Sequence, residues 1–342
     1  MKKISGLILG DGWISGIEIK KILNESLGKK IKFEYRDWKH NSLQDLQNDN
    51  LKIEKGGLEK IEVKKDIYKD INKFHFIVTH FAPIKKECFE NNHNLKIIFS
   101  LRSGLENINI NFAKKNNIKL INNAGRNANA VKEFTIAMML NLTRQVTLFS
   151  SQMKNGKWPN ITSNRHGLDT YIGELKSTDI GIIGYGLIGK SVANLLKKFG
   201  SNIFIYEPNK KKHDNKFNFT SLKFLLSKSD IISFHAKSDK IILNKKNFKL
   251  LKKNCFIINT SRAKLIDESL LYLNLKDKKI AGAAIDVFNQ EPLFKKHPFY
   301  KLDNIILTPH IAGATDQMLI DCIHLIEKKI QKELLKFKKQ KI

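Results

Sequence analysis

Short apolar runs alternate with helix-length polar stretches between residues 179 and 313. Runs of about four to six apolar residues suit buried strands, and the longer stretches between them suit crossover helices. This alternation predicts a doubly wound parallel sheet with helices on both faces. The segments predicted as strands are DIGIIGYG, NIFIYEP, DIISFH, CFIINTS, IAGAAIDVF and NIILTPH.

The first 120 residues show the same alternation, with predicted strands in SGLILG, KIKFEYR, FHFIVTH, LKIIFSL and IKLINN. A chain of 342 residues exceeds one ordinary core, so two α/β domains are expected. A charged helix from Thr315 onward is predicted to pack back on the first lobe. We therefore assign residues 1–122 and 314–342 to one discontinuous domain and residues 123–313 to a second domain inserted in it.

A long helix is predicted for AVKEFTIAMMLNLTRQVTLFSSQMKNGKW, which lies between the two series of strands. Its apolar residues recur at helical spacing, as an amphipathic helix requires. These residues are Val131, Phe134, Ile136, Ala137 and Leu140. The pattern predicts one continuous helix.

The net charge of +28 raises the possibility of nucleic-acid binding, because clustered cations bind phosphate backbones. The lysines are spread over the whole chain, however, and they alternate with apolar residues as solvated helix faces do. Arginine, the residue that reads bases and grips phosphates in a bidentate manner, occurs only six times. Nucleic acid is therefore not expected as a partner, and each arginine becomes more informative.

The three cysteines are odd in number and lack the spacing of metal ligands. They indicate a reducing, cytoplasmic location, with no disulfide framework and no metal. No apolar run is long enough for a membrane helix, so no membrane association is expected. The opening MKKISGLILGDGW is interpreted as a first buried strand rather than a signal peptide, because no small-residue cleavage site follows it.

The stretch GIIGYGLIGKS at residues 181–191 satisfies two phosphate-binding patterns at once. As GxGxxG, its glycines Gly184, Gly186 and Gly189 would form the pyrophosphate turn of a dinucleotide-binding unit. As GxxxxGK[ST], Lys190 and Ser191 would bind the phosphates and the magnesium ion of a nucleoside triphosphate. Either motif alone is a weak signal.

An acidic residue after the next strand favours the dinucleotide. In that fold an acid about 20 residues beyond the motif binds the ribose hydroxyls. Strand NIFIYEP ends at Glu207, eighteen residues after Gly189. A carboxylate there also repels a 2′-phosphate, which favours NAD over NADP, although the nearby cluster Lys210, Lys211 and Lys212 could offset that repulsion. Asp286, at the end of a later strand, keeps the triphosphatase alternative open.

Three polar side chains follow predicted strands in the second half of the chain. Arg262 in INTSRAKLID could hold a carboxylate with a two-pronged hydrogen bond. His310 in ILTPHIAGAT could exchange a proton near neutral pH, and Glu291 in DVFNQEP could fix its tautomer and raise its pKa. Because ligands bind at the carboxyl ends of parallel strands, we expect the three to converge on a carbonyl or hydroxyl substrate.

The segments GIIGYGLIG, YEP, NTSRAKLIDE, GAAIDVFNQEP and TPHIAGAT resemble, in order, the signatures of the D-isomer-specific 2-hydroxyacid dehydrogenases, the family that includes phosphoglycerate dehydrogenase. GRNANAVKEFTIAMML and RSGLENINI are similar to the same family's interdomain helix and substrate loop. The resemblance spans residues 78–316 and implies a Rossmann NAD-binding domain inserted in a flavodoxin-like substrate domain. It also implies a homodimer.

By this resemblance, Arg262 binds the carboxylate and carbonyl of the substrate, His310 is the general acid/base and Glu291 is its partner. The residues implied to bind NAD are Gly184, Gly186, Leu187, Ile188, Gly189, Glu207, His235, Ala236, Thr260, Ser261, Asp286 and Gly313. Those implied to bind substrate are Arg102, Ser103 and Gly104. Arg102 either meets a second anionic group of the substrate or is an exposed charge, and the sequence favours the exposed charge.

Two departures from the family pattern affect these expectations. After His235 the family continues with a proline and a threonine, whereas this chain has Ala236-Lys237-Ser238-Asp239, which leaves the cofactor contact in that loop open. Lys132 occupies a place where the family often has a small residue. The leading hypothesis is an NAD-dependent oxidoreductase that interconverts a D-2-hydroxy acid and its 2-oxo acid. The alternatives are an NAD(H)-sensing, corepressor-like binding protein without significant turnover and a triphosphatase.

Overall fold

Parallel strands form two separate sheets in the computed structural model, which describes residues 4–89, 94–159, 173–209, 211 and 214–339. The chain divides into two units, residues 1–126 with 315–342 and residues 127–314. In chain order the strands and α helices are β1 Ile4–Gly10, α1 Gly16–Leu27, β2 Ile31–Asp37, α2 Leu43–Lys52, β3 Phe76–Thr79, β4 Ile97–Ser100, α3 Ile110–Lys115, β5 Lys119–Ile121, α4 Ala128–Arg144, α5 Val146–Lys154, β6 Asp179–Ile183, α6 Leu187–Lys198, β7 Asn202–Tyr206, β8 Asn218–Phe219, α7 Leu222–Lys228, β9 Ile231–Phe234, α8 Lys245–Phe248, β10 Phe256–Asn259, α9 Glu268–Lys276, β11 Gly282–Ile285, β12 Ile305–Leu307 and α10 Asp316–Lys339.

The first unit contains a five-stranded parallel sheet in the order β2-β1-β3-β4-β5. This is the flavodoxin-like strand order. Successive residues of β1 point to opposite faces, so Leu7 and Leu9 pack in one core and Ile8 packs in the other. The second of these cores includes Cys322 and Ile326 of α10, which returns to this unit from the far end of the chain.

The second unit contains a seven-stranded parallel sheet in the order β12-β11-β10-β9-β6-β7-β8. Counted from β6, this is the Rossmann order with the reversal between β6 and β9. Both faces are covered, because Ile257 of β10 packs on one side while Ile258 packs on the other beside α4 and α6. The prediction of two doubly wound parallel-sheet domains is confirmed.

The prediction of one continuous helix over residues 130–158 is wrong. Gln145 adopts a left-handed conformation, with φ of 52°, and separates α4 from α5. Gln145 is a good helix former, so the sequence carries no glycine or proline signal for this break. Helix α4 has a buried face, whereas α5 buries none of its residues.

Helix α1 shows how the sequence specifies local structure at the carboxyl end of β1. Ser15 and Glu18 form a capping box, in which the Ser15 side chain accepts from the Glu18 amide and Glu18 accepts from the Ser15 amide. The box satisfies two donors that the first turn of the helix leaves without partners. Among the described residues, no helix is long and apolar enough to cross a membrane.

Candidate active site

The glycine-rich loop follows β6, and each of its three glycines meets a different geometric requirement. Gly184 has φ of 96°, and a side-chain carbon there would lie 2.7 Å from the backbone of Ala236. A side-chain carbon at Gly189 would meet the carbonyl oxygen of Gly184. At Gly186 it would meet nothing within 4 Å, so this position opens onto space that a ligand can occupy. The loop therefore fits the close approach of a pyrophosphate.

Helix α6 begins directly after this loop. Its N-terminal capping residue is Gly186, and no side chain caps this end. The amides of its first turn, at Leu187 and Ile188, are donors that an intrahelical acceptor does not satisfy. Together with the helix dipole they favour a bound anion.

Glu207 lies beside the glycine loop rather than in open solvent. Its carboxylate is buried and accepts the amides of Tyr185, at 3.0 Å, and Asn209, also at 3.0 Å. A carboxylate accepts hydrogen bonds, and ribose hydroxyls are donors of the kind that it binds. Residue 207 therefore ties the end of β7 to the loop that would hold the pyrophosphate.

Lys190 and Ser191, the residues of the triphosphatase pattern, have partners within the protein. The Lys190 ammonium lies 3.2 Å from Asp214 and over the ring of Tyr185. The Ser191 hydroxyl donates to the Leu187 carbonyl at 2.8 Å, one turn back along α6. Neither group is directed by these contacts toward a triphosphate or magnesium ion.

His235 follows β9 and lies against Gly189. Its Nε2 pairs with the Ser233 hydroxyl at 2.8 Å, while its Nδ1 is buried without a hydrogen-bond partner among the described residues. Burial lowers the pKa of His235 to about 4, so the ring is neutral. In the loop that departs from the family pattern, Ser238 accepts the amide of Lys240 and thereby forms its own turn.

The turn that carries Arg262 is held by Asn259, a buried residue at the end of β10. The Asn259 side chain donates to the Arg262 carbonyl at 2.8 Å and accepts the amide and hydroxyl of Ser261. Thr260 pairs with the Thr135 hydroxyl at 2.9 Å. The Arg262 side chain is exposed and donates one Nη1 bond to the Ser261 carbonyl, at 2.7 Å.

His310 and Glu291 lie in direct contact. The His310 Nδ1 is 2.8 Å from Glu291 Oε2, and the other carboxylate oxygen accepts the Phe288 amide at 2.9 Å. The hydrogen bond that His310 donates to the Glu291 carboxylate raises the pKa of His310 above its ordinary value, while burial and the Arg262 charge lower it. Burial raises the pKa of Glu291, but the bonds from His310 and Phe288 outweigh that effect and lower it.

A buried carboxylate fixes the loop on which His310 lies. Asp286 accepts the Thr308 hydroxyl at 2.6 Å and the amides of Ile311 and Ala312, both at 2.9 Å. Between these anchors His310 adopts φ of 56°, a left-handed conformation that costs a non-glycine residue about 1–3 kcal/mol. The three hydrogen bonds to Asp286, which we call the Asp286 clamp, offset that cost. The assignment of the same carboxylate to the cofactor stays a prediction.

Gly313 ends the same loop, and it packs against Asn127 at the start of α4. A side-chain carbon at Gly313 would lie 2.5 Å from Asn127 Nδ2. Glycine at this position therefore permits the loop to approach the helix.

The predicted substrate loop, Arg102 to Gly104, follows β4 in the other unit. The sequence favoured an exposed charge at Arg102, and this is wrong because the residue is 6% exposed. Its guanidinium lies 2.6 Å from Glu54 and stacks on the Phe81 ring at 4.3 Å. Among the described residues, the amides of Ser103 and Gly104 have no hydrogen-bond acceptor, so they remain available to a ligand.

The second unit thus collects its polar groups at one edge of its sheet. Six features each follow a different strand, and the carboxyl ends of parallel strands lie at one edge of a sheet. These features are the glycine loop, Glu207, His235, the Arg262 turn, Asp286 and His310. The arrangement combines a dinucleotide-type loop with a proton-exchanging imidazole and an exposed guanidinium.

Comparison with known proteins decides the class. The profile of the D-isomer specific 2-hydroxyacid dehydrogenase, NAD binding domain, matches residues 136–312. The chain belongs to this dehydrogenase family. Membership makes it an NAD-dependent oxidoreductase of 2-hydroxy and 2-oxo acids, and the glycine loop of the second unit fits that cofactor.

Two curated relatives are similar over most of the dehydrogenase chain. A glyoxylate reductase of Thermofilum pendens is 36% identical over 239 residues, which cover 68% of this chain and 70% of the relative. A hydroxypyruvate reductase of Thermotoga maritima is 32% identical over 295 residues, which cover 84% and 93%. The solved structure of D-2-hydroxyisocaproate dehydrogenase aligns with a TM-score of 0.74 at 23% identity, covering 99% of this chain and 98% of that one, and it is similar in fold.

Sequence reasoning missed three buried polar residues of this dehydrogenase, Asn259, Asp11 and His80. Asn259 was taken as part of a strand, although its place before Thr260-Ser261-Arg262 at a strand end was a usable signal. Asp11 and His80 form a buried pair, at 3.0 Å, in the first unit. Asp286 holds the His310 loop by three hydrogen bonds, and its assignment to the cofactor stays a prediction.

Proposed function

We propose that this dehydrogenase interconverts a D-2-hydroxy acid and the corresponding 2-oxo acid, with Arg262 binding the substrate and with His310 and Glu291 as its general acid–base pair. The observation that carries the proposal is the 2.8 Å contact between His310 Nδ1 and Glu291 Oε2. A carboxylate on one ring nitrogen fixes the tautomer and leaves the other nitrogen to exchange the proton.

The proton would move between His310 Nε2 and the substrate oxygen. During reduction the imidazolium donates a proton to the carbonyl oxygen, and during oxidation the neutral ring accepts the hydroxyl proton. Glu291 stabilises the imidazolium, and its effect on the pKa of His310 keeps a protonated fraction present near neutral pH. Bound NAD supplies or accepts the hydride.

Arg262 would hold the carboxylate of the substrate with its guanidinium fork and polarise the carbonyl. Its backbone is fixed by Asn259 before any ligand arrives, so little ordering is needed on binding. One Nη1 bond to the Ser261 carbonyl leaves the remaining N–H donors for a planar carboxylate.

The cofactor would be held by groups that follow successive strands. We assign the pyrophosphate to Gly184, Gly186, Leu187, Ile188 and Gly189, and the adenosine ribose to Glu207. His235 and Ala236 would line the same loop, with Thr260, Ser261 and Gly313 on the nicotinamide side. We assign Asp286 to the positioning of His310.

We assign a separate role to each of the two domains. Residues 1–122 with 314–342 would carry the substrate domain, with Ser103 and Gly104 presenting amides to the substrate carboxylate. Residues 123–313 would bind NAD. We also propose a cytoplasmic location and a homodimeric state. Sedimentation equilibrium of the purified chain tests the homodimer.

The test is NADH oxidation across a panel of 2-oxo acids, with His310→Ala as the variant. Turnover is expected to fall by about 10²–10⁴-fold, the usual size of a general acid–base contribution, while the Kd for NADH changes less than about threefold. Equal losses of turnover and NADH affinity would refute the role of His310. If the unmodified chain binds NADH and turns over no acid, the NAD(H)-sensing alternative is correct.

A further inference from the structure

The carboxylate of Glu268 contacts the loop that carries Glu291 on both sides of that residue. Its Oε2 accepts the backbone amide of Asn289 at 3.1 Å, two residues before Glu291. Its Oε1 lies 3.2 Å from Nε2 of His297, six residues after Glu291. The part of the loop that carries Glu291 is therefore tied at both of its ends to one side chain.

The hydrogen bonds of His297 have a defined direction. The Phe299 amide donates to His297 Nδ1 at 3.3 Å, so this nitrogen accepts. In a neutral imidazole the other nitrogen, Nε2, then carries the proton and donates to Glu268. The His297 side chain is 6% exposed and lies against the rings of Phe294 and Phe299. Because both ring nitrogens are paired inside this packed environment, His297 is a fixed donor for Glu268.

Glu268 has an anchored backbone because it is the first residue of α9. Asp267 caps this helix by accepting the Leu270 amide at 3.0 Å, and its own amide donates to the Leu243 carbonyl at 3.1 Å. The Leu243 amide donates in turn to the Leu265 carbonyl at 2.9 Å. The helix dipole also favours an acidic side chain in the first turn. The start of α9 thus holds the Glu268 carboxylate in place.

The segment that leads into α9 begins at the turn that carries Arg262. The Arg262 carbonyl accepts the Leu265 amide at 3.3 Å and the Asn259 side chain at 2.8 Å. Five residues separate Arg262 from Glu268, and they include one 3₁₀ turn. Glu268 therefore joins the Arg262 segment to the loop whose two sides it contacts.

We propose that Glu268 is a positioning residue that holds the loop of Glu291 so that the Glu291 carboxylate faces His310. Through its own segment it also fixes this pair relative to Arg262. The Phe288 amide that donates to Glu291 lies in the same loop, so the carboxylate turns with the loop. The inference rests on the proposed function, and Glu268 acts through Glu291 rather than on the reacting atoms.

The titration of His310 reports the contact with Glu291 and needs no turnover. Among the described residues, the charged groups that face His310 are Glu291, Asp286 and Arg262. In Glu268→Gln an amide donor faces one of the two donors of the loop, so the loop is released at that side. The contact between His310 and Glu291 is then less populated, and the pKa of His310 is expected to fall toward its ordinary value. NMR of the ring resonances, assigned with His310→Gln, measures this shift.

Two further variants separate the contact from the loss of a negative charge. Glu268→Asp keeps the charge but is one methylene shorter, so its carboxylate no longer reaches both donors. It is expected to lower the pKa of His310 as Glu268→Gln does. Asp267→Asn is the matched control, because it removes a charge at the adjacent position while asparagine still caps α9. It should leave the titration of His310 and kcat nearly unchanged.

The kinetic readout follows the same logic. In Glu268→Gln, kcat for reduction of a 2-oxo acid is expected to fall roughly 10-fold, the value of one hydrogen bond to a charged group, while the Kd for NADH changes less than about threefold. The pH at which kcat/KM for reduction falls should move down with the NMR titration. His297→Asn provides a second route, because its shorter side chain presents no donor to Glu268. It should lower the pKa of His310 in the same direction.

Failure of this inference is distinguishable from failure of the proposed function. A chain that reduces 2-oxo acids, with a His310 titration unmoved by Glu268→Gln, Glu268→Asp and His297→Asn, is a dehydrogenase in which Glu268 only stabilises the fold. That result would overturn the inference even if the variants have a lower Tm. If the unmodified chain turns over no acid, the proposed function fails, whereas a lowered pKa of His310 in Glu268→Asp still supports the positioning of Glu291 by Glu268.

Discussion

Asp286 accepts the backbone amide of Ile311 at 2.9 Å, on the residue that directly follows His310. The carboxylate is 1% exposed and receives two further bonds from the same loop. We therefore expect Asp286 to affect catalysis through the geometry of the loop. His310 keeps its left-handed backbone because the residues on both sides are anchored to one buried charge.

Asp286→Asn tests this clamp. The amide group replaces an acceptor with a donor that faces backbone N–H groups, so at least one charge-assisted bond of about 1.5–3 kcal/mol is lost. We expect the Tm to fall by several degrees, since 1 kcal/mol corresponds to roughly 2–4 °C for a domain of this size. We also expect kcat to fall more than the affinity for NADH, as measured by stopped-flow and fluorescence titration. Asp303→Asn, an exposed carboxylate nearby, is the control and should change neither.

Glu291→Gln tests the origin of the proton-transfer pH profile. The hydrogen bond that His310 donates to the Glu291 carboxylate raises the pKa of His310, so an uncharged amide at residue 291 is expected to lower that pKa. Reduction needs protonated His310, and its kcat/KM therefore falls as the pH rises through that pKa. In the variant this fall is expected at lower pH. Oxidation needs the neutral ring, so its rising limb should move to lower pH as well, and a profile that keeps its midpoint would contradict the pairing.

Gly186→Ala separates folding from cofactor binding. The position has φ of −80°, and an added carbon meets nothing within 4 Å, so the Tm should stay within about 2 °C. A methyl group there would occupy the space assigned to the pyrophosphate, and NADH affinity should fall at least tenfold. Gly184→Ala is the contrast, because φ of 96° and the Ala236 backbone at 2.7 Å make it destabilising before any ligand binds.

Lys190→Ala and Glu207→Gln together test the choice between the two phosphate motifs. The exposed ion pair between Lys190 and Asp214 contributes little to stability, so its loss should change the Kd for NADH less than about twofold. Glu207→Gln replaces a ribose acceptor with a donor and should weaken NADH binding about tenfold. The reverse order of effects, or protection from thermal unfolding by Mg-ATP alone, would favour the triphosphatase.

Local sequence patterns predicted the two sheets because their strands are short apolar runs. The same patterns predicted the polar groups at the carboxyl edge of the second sheet because each group directly follows such a run. The glycine loop and Glu207 lie within one motif length, and their contact through Tyr185 follows from parallel pairing of β6 with β7. His310 and Glu291 could be paired for the same reason, since their loops follow neighbouring strands. Their catalytic roles stay predictions.

What the sequence could not provide depends on contacts between distant residues. Arg102 looked like a surface charge because its partners, Glu54 and Phe81, lie far away along the chain. The Asp11 and His80 pair joins residues separated by 69 positions. The break at Gln145 has no propensity signal, and β8 spans only two residues, which is too short for an apolar pattern.

The pairing of β11 with β12 sets where insertions and deletions can be tolerated. Ile285 is opposite Leu307 in the paired strands. The residues that directly follow them, Asp286 and Thr308, are joined by the hydrogen bond from the Thr308 hydroxyl to the Asp286 carboxylate. One residue added to or removed from β12 would turn its side chains to the other face and carry His310 away from Glu291. We therefore expect this dehydrogenase to tolerate insertions and deletions in its helices and exposed loops, and to lose the contact between His310 and Glu291 when the number of residues from Ile305 to His310 changes.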